Sequence, residues 1–187
     1  KDNPENCIMA IRPSDGELLW TRNEPVIMER SLSAEAGRVF YHSRWELVAL
    51  NLKSGKELCT HETAMKALCV IAHKDVVLIS QSSATLALSA HTGEKLWEGP
   101  GTPHRAYYPE LYVFDDIVWI GRPEFSARNI KTGEIQKTLE LQKVLESGHH
   151  RRCFTERSTC NYIITGERGS EFLDLNDNKH ERYNMLR

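Results

Sequence analysis

Residues 148–153 carry the densest reactive chemistry in the chain, with His149, His150, Arg151, Arg152 and Cys153 in succession. Two imidazoles and a thiol are borderline-soft donors suited to zinc or copper, and Cys160 could add a fourth ligand. Neighbouring residues on a strand point to opposite faces, so His149 and His150 do not naturally converge on one ion. The plainer reading is a solvated loop that leads into a strand; a third has His149, Arg151 or Arg152 contacting an anion. Cys153 and Cys160 flank six residues, so they could face each other across a hairpin and form a disulfide in an oxidising compartment; free half-buried thiols are the alternative.

The other reactive groups give less. Cys7, Cys59, Cys69, Cys153 and Cys160 contain no CxxC pair, which excludes zinc-ribbon and thioredoxin-like sites on spacing. His104, Arg105, Tyr107 and Tyr108 place aromatics beside a guanidinium and could stack on a ligand, against the simpler reading of a loop with half-buried tyrosines. Asp115 and Asp116 precede a strand and read as the end of a turn rather than as an acid/base pair. Gly166 and Gly169 lack the strand-to-helix setting of a phosphate loop and read as a turn. Neither GxSxG nor HExxH occurs, so a nucleophile-elbow hydrolase or a zincin protease has no support.

The elements that must position these groups emerge from an internal repeat. The stretches 10–20, 49–59, 87–97 and 127–137 align on Gly16, Gly55, Gly93 and Gly133, each preceded six positions earlier by Ala10, Ala49, Ala87 or Ala127. A degenerate fifth copy begins at Phe172 and puts Asn178 where the others have Gly; Asn is the next-best occupant of a positive-φ turn position. A polar residue before Gly between two β-rich runs is hairpin chemistry, with the Gly left-handed and often a bulge beside it. Apolar runs such as 67–71 and 76–80 precede the Ala87 strand, so a full unit holds four strands in about 40 residues, the signature of a β-propeller blade. The expected units are 1–22, 23–62, 63–99, 100–141 and 148–187 of a single domain. The stretch 139–147, with Leu141, Val144 and Leu145 at helical spacing, is read as a loop insertion.

Composition agrees with a globular chain: 187 residues, 40% hydrophobic, 27% charged and a formal charge of −2. The longest apolar runs fall far short of the roughly 20 residues that span a bilayer. Near-neutral charge without a basic block removes the electrostatic reason to expect nucleic acid as a partner. The chain opens at Lys1, which fits either a removed targeting segment or an excised piece.

Ala, then Gly six later, then Trp ten later resembles the tryptophan-docking repeat of quinoprotein-type propellers, the pyrroloquinoline-quinone (PQQ) dehydrogenases and their cofactor-free relatives. The resemblance implies that Trp20 and Trp97 stack between blades on a small Ala and a neighbouring glycine peptide. Cys59 and Lys137 take that place in the second and fourth units, where weaker junctions are expected. The family often has Asp two positions after the Ala; this chain has Arg12, Asn51, Ser89 and Asn129, and only Asp174 keeps it. The dehydrogenases carry two adjacent cysteines beneath the quinone, a pair this chain lacks.

The fold expected is therefore all-β, a partial propeller of about four to five four-stranded blades, whose open edges invite the remaining blades of a longer chain, a protein partner or a second copy. The function expected is a non-catalytic scaffold, without cofactor or metal, that binds a protein or other ligand on its loop face. The alternative is part of a PQQ-dependent oxidoreductase with PQQ and calcium in the channel. The resemblance also implies a bacterial protein exported to the periplasm or cell surface.

Overall fold

The computed structural model describes residues 6–101, 111–120, 124–140, 157–159, 161–166, 170–174 and 180–183. Among them every regular element is a β-strand, and no helix is long and apolar enough to cross a membrane. The chain divides into two compact units, residues 1–99 and 100–187.

In the first unit, β1 (Asn6–Ile11) and β2 (Leu18–Glu24) form a two-stranded antiparallel sheet. A four-stranded sheet follows in chain order: β3 (Ser33–Glu35), β4 (Arg38–His42), β5 (Glu46–Asn51) and β6 (Glu57–Glu62). The next has the same order: β7 (Cys69–His73), β8 (Val76–Ser80), β9 (Ala84–Ser89) and β10 (Lys95–Pro100), whose last residue marks the unit boundary. The second unit repeats the plan twice. Its first sheet is β11 (Leu111–Phe114), β12 (Ile117–Ile120), β13 (Glu124–Asn129) and β14 (Ile135–Glu140). Its second is β15 (Arg157–Ser158), β16 (Tyr162–Gly166), β17 (Ser170–Asp174) and β18 (His180–Tyr183).

Middle strands are apolar through their centres because both of their faces are covered. β8 buries all five of its residues and β4 four of five. The two-residue side-chain period then divides each strand between two cores. Val39, Tyr41, Val48 and Leu50 pack with Ile8, Trp20 and Ile27, whereas Phe40, Leu47 and Ala49 pack with Val70, Val77, Ile79 and Leu88 of the following sheet. Each such side chain removed from water contributes roughly 1.5–3 kcal/mol. In the second unit Trp119 and Ala127, paired across β12 and β13, pack with Ile163 of β16.

The repeat's glycines close identical turns. Gly16, Gly55, Gly93 and Gly133 have φ of 75°, 66°, 74° and 73°. Each donates its amide at 2.8 or 2.9 Å to the residue four positions earlier, Arg12, Asn51, Ser89 or Asn129. That residue's own amide reaches the carbonyl of Glu17, Lys56, Glu94 or Glu134 at 2.8 or 2.9 Å. A register shift follows Ala10, Ala49 and Ala127, the bulge that this turn chemistry calls for.

The residue types two positions after each repeat alanine now have a physical meaning. Asn51 Oδ1 accepts the amides of Lys53 and Ser54 at 3.0 Å, and Asn129 Oδ1 those of Lys131 and Thr132 at 2.9 and 3.1 Å. Ser89 Oγ does the same for His91 and Thr92 at 3.3 and 3.2 Å. Arg12 has no acceptor to offer those amides; one step further round the turn Asp15 Oδ1 takes the Glu17 amide at 3.0 Å, as the hydroxyls of Ser54, Thr92 and Thr132 take the corresponding amides in the other turns, and the Arg12 guanidinium bonds Asp15 and Glu17. The Glu17 amide, and then Arg12, hold the Asp15 carboxyl below its ordinary range.

One expectation needs correction. Leu139 and Glu140 are not part of an insertion: they end β14, paired with Phe125 and Glu124 of β13, because the backbone ladder outlasts the apolar pattern. Residues 141–147 of that stretch lie outside the described residues, as does Asn178 of the fifth copy.

Candidate functional site

Two kinds of constellation occupy the first unit: junctions between consecutive sheets, and a cluster of loops at one end of the strands. At the first junction, Ala10 of β1 and Trp20 of β2 are direct cross-strand partners. The Trp20 indole donates from Nε1 to the Leu52 carbonyl at 2.8 Å. Its ring lies over Gly55 so closely that a Cβ there would stand 2.7 Å from Cδ2. Beside it, Arg22 bonds Glu24 and, at 2.7 Å, Glu57 of the next sheet. Fully buried Tyr41 donates its hydroxyl to Glu24 at 2.6 Å. Burial first, then the Glu24 carboxylate, push the Tyr41 phenol well above its ordinary range, and Glu24 does the same to the Arg22 guanidinium.

The second junction differs. Cys59, cross-strand partner of Ala49, packs at the margin of the core, and His61 covers the turn glycine instead, with Cβ and Nδ1 3.7 Å from where a Gly93 Cβ would sit. Arg38 Nη2 and His91 Nδ1 are 2.9 Å apart, and His91 Nε2 meets Asp75 Oδ1 at 3.0 Å. With Asp75 accepting from Nε2, the other ring nitrogen faces a guanidinium and is not free to act as a base; the trio ties the start of β4 to two turns of the next sheet. Trp97 is buried at 8% exposure, and Ala87 and Ala127 are buried as well. Gly133 closes its turn as described, with Lys137 opposite Ala127.

The loop end is made by the connections 25–32, 43–45, 63–68 and 81–83. Its node is His42, the last residue of β4, with no exposed surface. His42 Nδ1 bonds the Ser43 carbonyl, and Nε2 lies 2.8 Å from Thr63 Oγ1. Thr63 Oγ1 is also 3.1 Å from the Trp45 carbonyl and 3.0 Å from that of Met65, and the Thr63 amide bonds Trp45 O at 2.7 Å. Gln81 Nε2 donates to Met65 O at 2.6 Å, bringing in the β8–β9 loop. Ser31 Oγ receives the His42 amide at 3.1 Å, and the His42 carbonyl takes the Met28 amide at 2.8 Å. On this hydrogen-bonded base Trp45 is 49% exposed, with Lys66 Nζ 5.9 Å from its ring centroid and exposed Arg44 next to it in the chain. That spacing is cation–π range.

Nothing in the repeat pattern pointed to this cluster. The available signals were a histidine ending the apolar run of β4 and a tryptophan, Trp45, away from the docking position.

Several sequence candidates lie outside the described residues: His149, His150, Arg151, Arg152, Cys153 and Cys160, the aromatic stretch 104–108 and residues 167–169. Asp115 and Asp116 form the turn between β11 and β12; Asp115 has φ 52° and the Asp116 carbonyl takes the Ile130 amide at 2.8 Å. Cys7, Cys59 and Cys69 are free thiols, and burial pushes the Cys69 thiol up. Among the described residues no three His, Cys, Asp or Glu side chains converge to hold a metal.

No family model and no curated protein matches the sequence. Solved structures do match. BamB from Moraxella catarrhalis aligns with a TM-score of 0.70 and 16% identity over 93% of this chain and 54% of its own. The fold is a β-propeller. Its four-stranded sheets are propeller blades, and Trp20 on Gly55 is a contact between consecutive blade elements. A europium-containing methanol dehydrogenase aligns with a TM-score of 0.62 and 12% identity over 100% of this chain and 50% of its own. The computationally designed Ika4 protein follows at 0.55 and 13%, over 86% and 92%. The chain spans about half the length of the first two. At such identities the likeness is one of fold.

Proposed function

We propose that this propeller is a non-catalytic scaffold that binds a protein or other ligand on the loop end of its blades, at Trp45, Arg44 and Lys66. The observation that carries this reading is an exposed indole flanked by cations on loops anchored to a fully buried polar node. Large rigid aromatics beside guanidinium or ammonium groups are the side chains that dominate recognition surfaces, because little conformational entropy is lost when they are covered. We further propose that the outer face of β1 is a blade junction completed by further blades or by a second copy. Met9 and Ile11 are 59% and 54% exposed there, whereas their repeat equivalents Val48 and Leu50 are 3% and 0% exposed. A periplasmic or cell-surface setting and a bacterial source belong to the same proposal.

The test sets this reading against a PQQ-dependent oxidoreductase with PQQ and calcium. The purified chain is mixed with both and followed by light scattering and quinone absorbance. The scaffold reading expects no uptake, and self-association that falls on Met9→Lys. Stoichiometric quinone uptake by a monomer would overturn it. A photo-crosslinking residue at position 45 should capture a partner from extracts of the source cells that the same residue at Lys53, on the opposite turn, does not.

A further inference from the structure

The His42 node has two complete hydrogen-bond states, and they differ by one proton. In a neutral ring Nδ1–H donates to the Ser43 carbonyl, which leaves Nε2 as an acceptor. The single Thr63 hydroxyl proton then goes to Nε2 at 2.8 Å. The Trp45 carbonyl keeps the Thr63 amide at 2.7 Å and the Met65 carbonyl keeps Gln81 at 2.6 Å, so every group is satisfied. A protonated ring donates from both nitrogens. Thr63 Oγ1 becomes an acceptor and its proton must swing to Met65 O or Trp45 O, 3.0 and 3.1 Å away. The bonds can still close, but a full charge now sits where no described residue sets an anion against the ring.

The surroundings make that charge costly. The ring's polar partners are the Ser43 carbonyl and the Thr63 hydroxyl. From the 25–32 connection come Ser31 and Met28, both bonded to the His42 backbone rather than to its ring. The cross-strand partner on β5 is Leu47. No carboxylate, ammonium, guanidinium or thiol from β3, β5, β7 or the adjoining loops shifts the imidazole; burial lowers its pKa from 6.5, partly opposed by the Ser43 carbonyl. The equivalent position on β8 is Ser80, which cannot titrate.

We propose that His42 is a proton latch for this loop end: protonation releases the loops 43–45 and 63–66 that carry Trp45 and Lys66, so that the surface is ordered near neutral pH and loosened in acid. The closed loops favour the neutral ring and the opened loops allow the ordinary imidazole value of 6.5. Closure is therefore fully present above that value and is lost as pH falls below it, by at most about tenfold per pH unit for one linked proton. The release is independent of any ligand; its consequence, weaker docking in acid, rests on the scaffold reading above.

The test is amide hydrogen exchange on the whole 187-residue chain at pH 7.5 and 5.5, corrected for intrinsic rates, beside an NMR titration of the His42 ring. The expected result is a His42 pKa below 6.5 and a loss of protection, at most about tenfold, in 43–45 and 63–66, with Leu50 and Leu78 amides unchanged. His42→Gln should flatten the loop response. If that variant does not fold, Thr63→Val serves, since it removes the hydroxyl whose polarity must reverse. Equal protection at both pH values, a His42 pKa at or above 6.5, or a parallel loss at Leu50 and Leu78 would overturn the latch. Docking that fails to weaken in acid while the loops do loosen would instead count against the scaffold reading.

Discussion

The Trp20 ring and the Gly55 backbone are in contact at a distance that leaves no room for a methyl group: a Cβ on Gly55 would lie 2.7 Å from the indole. Gly93 occupies the equivalent turn, yet its nearest neighbour, His61, would be 3.7 Å away. The same substitution thus separates two costs. Gly93→Ala incurs only the left-handed backbone term, about 1–2 kcal/mol. Gly55→Ala adds displacement of the ring, roughly 1–3 kcal/mol more. Urea denaturation of the two variants measures the difference, and equal values would contradict the contact.

Trp97 and Trp45 test burial with one chemical change. Trp97 is 8% exposed, so Trp97→Ala should destabilise by about 3–5 kcal/mol. Trp45 is 49% exposed, and Trp45→Ala should move stability by no more than about 0.5 kcal/mol. Thermal melts of both variants check this, with partner capture at the loop end lost only in the second.

Tyr41 ties its blade to Glu24 of the two-stranded sheet through a buried hydroxyl. Tyr41→Phe leaves the mostly buried Glu24 with Arg22 alone and should cost about 1–3 kcal/mol. The folded phenol holds its proton far longer than an unfolded one, whose ordinary value is 10.0. The unfolded state therefore binds fewer protons above pH 10, and this stabilisation is present below that pH and declines as pH rises. An ultraviolet titration should show Tyr41 ionising last, together with unfolding.

Asn51→Ala should weaken its turn by about 1 kcal/mol, because two backbone amides lose their shared acceptor. Arg12→Ala should cost less, since the Arg12 side chain accepts no backbone amide and bonds only the exposed Asp15 and Glu17 carboxylates. A double-mutant comparison of Arg12→Ala with Asp15→Ala, read by chemical denaturation, separates the two: the larger loss belongs to Asp15.

The legible parts of this protein were those governed by neighbours in the chain. Gly55 and its counterparts could be read as turn glycines because positive φ is a property of one residue and its nearest neighbours. The runs of β4 and β8 could be read as strands, and their lack of polar alternation reflects the covered faces of middle strands. The end of β14 was misplaced because the ladder with β13 continues through Leu139 and Glu140 after the side-chain signal has faded. At the second junction, the loss of Trp at Cys59 was visible, but not that His61 would cover Gly93 in its place.

By itself, then, the sequence determined the strand and turn content and the repeat that stacks one blade on the next, since side-chain period and backbone preference act within a few residues. Only the tertiary structure decided which polar side chains lie inside and which aromatics stay outside. His42 is buried because Thr63 and Ser31 arrive from other connections to satisfy it, and Trp45, three residues on in the connection between β4 and β5, is half exposed. Burial is set by what packs alongside, and residues distant in the chain supply it.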